Sequence, residues 1–244
     1  MMSSVAAPES LHSAGHTSHT LMPTCTGTSV LGIKFADGVI LAADMLVSYG
    51  SLARYMDVER VAKINDRTVL ACSGDFADYQ LLKRRIDEQT HTDNLLSDGF
   101  NLSARGLHSW ITRVMYNRRS QLNPLWNTYI VGGLEQDGRP FLGFCDLQGV
   151  SFMDDCMASG FGAYFAIPLL RQRLEDLAGG DPRKLSEEQA IQAVTDAMRQ
   201  LYYRDCRACN TYQLAIVRST GAEVRGPLKL ESDWSVAEYV SGYE

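Results

Sequence analysis

Hydrophobic period changes in blocks along this chain, and the block order restricts the architectures open to it. Thr28 to Phe35 is apolar and β-branched, and Asp37-Gly38 turns it back into Val39-Ile40-Leu41-Ala42-Ala43. A second pair runs from Arg60 to Ile64 and from Thr68 to Ser73, with Asp66-Arg67 as its turn. The period then changes from 2 to 3.6. Phe76, Tyr79, Leu82 and Ile86 share one face of a helix beginning at Asp75, and Leu107, Trp110, Ile111 and Val114 mark a second helix.

The same order then repeats. Strands are predicted at Leu125 to Gly132, Phe141 to Asp146 and Val150 to Met153, with Asp137-Gly138 between the first two. A third helix runs from about Gly160 to Leu177, with Pro168 deep for a first-turn proline. Ser186-Glu187-Glu188-Gln189 is a capping box that opens a fourth helix, whose buried stripe is Ile191, Val194, Met198 and Leu201. Thr211 to Arg218 and Glu223 to Arg225 close the strand set around Gly221. Amphipathic helices must each lay one side on a sheet. Antiparallel blocks alternating with helix pairs therefore predict an α+β fold with two sheets face to face and a helix layer outside each. A single-sheet α+β domain is the second choice. Simple βαβ alternation and a Gly-rich phosphate loop are both missing, which disfavours dinucleotide and P-loop folds.

Composition narrows the function classes. With 244 residues the chain can bury a two-layer core. No run of about 18 apolar residues occurs, so a membrane-spanning helix is not expected. A net charge of −6 argues against nucleic-acid binding by bulk electrostatics. Short basic runs such as Lys83-Arg84-Arg85 and Arg118-Arg119 read as solvated helix faces or subunit contacts. Cys25, Cys72, Cys145, Cys156, Cys206 and Cys209 are scattered and suit small buried hydrophobes in a reducing compartment. Cys206-Arg207-Ala208-Cys209 has redox or half-zinc spacing, but no second pair or nearby histidines complete a metal site. The first nineteen residues lack an apolar period and read as a disordered leader or removable pro-segment.

Specific segments resemble the beta-type subunits of the proteasome 20S core. Thr28 to Phe35 followed by Gly38-Val39-Ile40-Leu41-Ala42-Ala43-Asp44 looks like their opening, and Ser73-Gly74-Asp75, Ser159-Gly160 and Tyr203-Arg204-Asp205 fall where later family motifs fall. Tyr49 to Arg54, Asn123 to Thr128 and the ending Ser241-Gly242-Tyr243-Glu244 are similar to non-catalytic members. The resemblance implies the N-terminal-nucleophile hydrolase fold, a four-layer αββα sandwich. It also implies the chemistry to test. Active members cut between Gly and Thr, and the freed threonine attacks peptide carbonyls with its own α-amine as base. Gly27-Thr28 matches the cleavage dipeptide, Asp44 the aspartate that holds a lysine, Gly74 the oxyanion glycine, Ser159 and Asp205 the later orienting residues.

Two members of the set are replaced. Arg60 stands at the lysine position and Ala208 at the final serine, with Cys209-Asn210 in place of Gly-Gly. Guanidinium is planar, bulkier and permanently charged, so Arg60 reads as a structural bridge to Asp44. The expectation is a subunit without catalytic residues, in which Thr28, Asp44, Arg60 and Asp205 are vestigial. The alternative is an active threonine peptidase with Thr28 as nucleophile. On the plainest reading Thr28 begins a strand, and the two aspartates cap or pair.

The resemblance further implies partners: beta-type neighbours in a seven-membered ring, an alpha-type ring, and the opposite beta ring. The expected division is a leader over 1–19, the domain over 20–227, and an inter-subunit tail over 228–244 that reaches the opposite ring through Trp234, Tyr239 and Tyr243. Leu228 and Leu230 are counted with that tail. Trimming is expected to leave a mature start near Thr20. No cofactor, metal, nucleic acid or membrane partner is expected. The implied setting is ATP- and ubiquitin-dependent protein degradation in cytoplasm and nucleus.

Overall fold

The computed structural model describes residues 21–96 and 102–235. The leader, the start near Thr20, and Tyr239 and Tyr243 lie outside the described residues. The strands are β1 (Cys25–Gly27), β2 (Val30–Phe35), β3 (Gly38–Asp44), β4 (Val47–Tyr49), β5 (Leu52–Tyr55), β6 (Val61–Asn65) and β7 (Thr68–Asp75). After them come helices α1 (Phe76–Leu96) and α2 (Ala104–Ser120), then β8 (Asn127–Leu134), β9 (Pro140–Cys145), β10 (Ser151–Met153) and β11 (Cys156–Ala158). Helices α3 (Gly162–Ala178) and α4 (Glu187–Arg204) precede β12 (Thr211–Arg218) and β13 (Gly221–Lys229). One antiparallel sheet runs β10-β9-β8-β7-β1-β4-β5 with β6 also on β7; the other runs β11-β2-β3-β12-β13.

Three apolar layers hold four structural layers together. Ile40, Ala42, Leu214 and Ile216 face Leu170, Leu174, Val194 and Met198 of α3 and α4. Val39, Leu41, Ala43, Ala215 and Val217 point the other way, onto Val69, Ala71, Ile130 and Leu142 of the first sheet. Beyond that sheet, Leu70, Tyr129 and Val131 meet Leu82, Ile86, Leu107 and Ile111 of α1 and α2. β3 is buried at every position because both its faces are covered, which explains its unbroken apolar run. Each such Val, Leu or Ile contributes about 1.5–3 kcal/mol on burial. The αββα sandwich expected from the block order is the fold observed.

Local chemistry sets the helix ends. Asp75 Oδ1 accepts from the backbone N–H groups of Ala77 (2.9 Å) and Asp78 (3.1 Å), so α1 begins one residue after the predicted Asp75. Ser186 and Gln189 form the reciprocal capping box of α4. Helix α3 starts at Gly162 and carries Pro168 inside it. That proline lies on the exposed side, where water can satisfy the carbonyl its missing N–H leaves free.

Four short strands, β1, β4, β5 and β11, were not predicted. Each has three or four residues, too few to show a period, and each forms because a neighbour offers an open edge. The last strand was predicted too short. β13 continues through Gly226-Pro227 to Lys229 across a register shift between Tyr212 and Leu214. Leu228 therefore pairs with Tyr212, and Leu230 is 3% exposed in the α3–α4 core. These two leucines pack within the domain and not in the inter-subunit tail expected over 228–244, because the bulge hides their alternation from the sequence.

Candidate functional site

The site lies where the chain leaves β1 and enters β2. β1 lies between β4 and β7, pairing Gly27 with Val47 on one side and Gly74 on the other. Thr24 adds an N–H to Asp75 Oδ2 at 2.9 Å. The stretch before Thr28 is thus an interior strand of the first sheet. Thr28 itself is not in a strand, contrary to the plain reading; it sits in the two-residue step between β1 and β2.

Arg60 lies beneath that step, 1% exposed, just before β6. A guanidinium has five N–H donors in a plane, and here each finds a protein acceptor. Nε donates to Asp44 O at 3.1 Å. Nη1 donates to Thr28 O at 2.8 Å and Cys72 O at 3.0 Å. Nη2 donates to Ser29 O at 3.3 Å and to Asp44 Oδ1. One side chain therefore ties the β1–β2 step to the end of β3 and the middle of β7. Its main-chain N–H donates to Gln213 Oε1 at 3.2 Å, tying it to β12 as well. Gly27 is shaped for this neighbour: a Cβ there would stand 2.4 Å from Arg60 Cδ.

Asp44 is 1% exposed at the end of β3. Its Oδ1 takes Arg60 and its Oδ2 accepts the Cys209 N–H at 3.0 Å. Burial pushes this carboxyl up, against the opposing pull of the Arg60 guanidinium and the Cys209 amide. Asp205 caps the C-terminal end of α4, with its N–H on Leu201 O at 2.8 Å. Its Oδ1 accepts the Arg207 N–H at 2.9 Å, and its Oδ2 accepts the Thr28 hydroxyl. Ala208 has no hydroxyl to add; its N–H closes a turn onto Asp205 O at 3.1 Å. Ser159 Oγ accepts the Val30 N–H at 3.1 Å, and Ser29 Oγ accepts the Gly162 N–H at 2.9 Å. Gly74 has φ 96°, and a Cβ there would stand 2.1 Å from Trp126 O, so both conformation and space require glycine.

The structure brings Thr28, Asp44, Arg60, Asp205, Ala208 and Gly74 into one region, although they are spread over most of the chain. Sequence reasoning missed Ser29, Asp75 and Gln213 as partners. Gln213 could have been suspected, being a polar residue within the apolar run of β12; it is 4% exposed. The dithiol spacing leads elsewhere. Cys206 is exposed, whereas Cys209 is half-buried, donates to Thr211 O at 3.2 Å, and has its thiol pushed up first by burial and then by the Asp44 charge. A raised thiol is the opposite of what redox exchange uses. Among the described residues no group of three His, Cys, Asp or Glu is arranged to hold a metal, and no helix is long and apolar enough to cross a membrane.

Two stacked antiparallel sheets between helix pairs, with a Gly-Thr step entering the second sheet, form the N-terminal-nucleophile hydrolase sandwich. Residues 24–217 match the family model described as proteasome subunit, so the chain belongs to the proteasome subunit family, on its beta-type side. Proteasome subunit beta type-4 of Xenopus laevis is 51% identical over 241 residues, covering 98% of this chain and 97% of the relative. The beta type-4 subunit of Drosophila melanogaster is 42% identical over 227 residues, covering 93% and 83%. Proteasome subunit beta type-7 of Saccharomyces cerevisiae is 41% identical over 232 residues, covering 92% and 86%.

Proposed function

We propose that this chain is a non-catalytic structural beta subunit of the 20S core. It helps build a seven-membered beta ring and join two half-particles, while neighbouring subunits degrade proteins in the ATP- and ubiquitin-dependent pathway of cytoplasm and nucleus. The observation that carries this reading is the saturation of Arg60. All its donors are spent on Asp44 and the carbonyls of Thr28, Ser29, Asp44 and Cys72, so none is left for a substrate or an amine. An arginine cannot exchange a proton near neutral pH, and assistance of that kind is worth about 10² to 10⁴ in rate.

The upstream strand supports the same reading. Residues 25–27 fill the gap between β4 and β7, so removing them would leave both neighbouring strands without a partner there. The Thr28 hydroxyl on Asp205 is what favours the alternative, an active threonine peptidase, since a carboxylate can take a proton from a hydroxyl. Intact mass of the chain from its native assembly, with a threonine-directed electrophile added, decides between them. The expected mass begins upstream of Thr28 and carries no adduct. A chain beginning at Thr28 and labelled there would overturn the structural reading.

A further inference from the structure

We draw no further inference here: the strongest candidate, the apolar patch of Tyr49, Leu52, Tyr55 and Met56 exposed along the β4–β5 hairpin at the edge of the first sheet, carries nothing, because nothing in the structure shows what covers it.

Discussion

Replacing Arg60 by lysine supplies the residue type that the family resemblance implies for catalytic members, yet the geometry predicts a damaged protein. Lysine brings three donors where arginine brought five, and they diverge tetrahedrally instead of lying in a plane. At least two of the acceptors Asp44 Oδ1, Asp44 O, Thr28 O, Ser29 O and Cys72 O must therefore lose their partner. Each buried acceptor left unpaired costs about 1–3 kcal/mol, so Arg60→Lys should destabilise by about 2–6 kcal/mol. That is a large share of the roughly 5–15 kcal/mol available to a folded domain. Equilibrium urea unfolding of full-length chain measures it, with Arg183→Lys as control. Arg183 lies at the surface with its side chain 82% exposed, pairs with Asp181, and should leave the curve unchanged. An Arg60→Lys curve that overlays the parent would refute the argument that donor saturation holds the site together. A variant that instead began to cleave itself before Thr28 would refute the wider claim that Arg60 is only a structural tie.

Other outcomes follow from single features. Gly27→Ala places a Cβ 2.4 Å from Arg60 Cδ, and should cost about 1–3 kcal/mol in the same unfolding assay even though the side chain added is one methyl. Thiol alkylation followed by mass spectrometry at pH 8 should label exposed Cys206 first. Burial pushes Cys145 up to about 11 and Cys156 to about 12, so both should stay unlabelled until the chain unfolds. Glu223 is held down to about 2 by Arg225 first and Arg218 second. Its depressed carboxyl favours the folded state above the ordinary glutamate value, and that contribution fades as pH falls toward 2. An NMR titration should place the Glu223 midpoint near 2, and a midpoint at the ordinary value would mean the two arginines do not hold it.

What was legible beforehand followed from repetition. Helices α1, α2 and α4 run 17 to 21 residues, long enough for a stripe such as Val194, Met198 and Leu201 to recur on one face. β2, β3 and β12 are apolar runs bounded by turn residues, so their existence and the layered sandwich could be read from order alone. The residues Thr28, Asp44, Arg60 and Asp205 come from likeness to a family, not from period, and of their mutual contacts only the Arg60–Asp44 bridge is legible in residue type; the Thr28 hydroxyl on Asp205 is not.

Tertiary structure decided the rest, for a physical reason. A strand of three residues such as β1 has no period of its own; it is a strand because β4 and β7 leave donors and acceptors on either side of it. Leu230 is core because a bulge in β13 turns it inward, and Trp234 meets Tyr202 and Tyr203 because the last turn of α4 happens to face it. Arg60 shows the division most clearly. Its charge and its five donors are properties of the residue, fixed by the sequence. Which acceptors it meets depends on groups from two separate strands, β3 and β7, and from the β1–β2 step arriving around one plane, and only the packed sandwich brings them there.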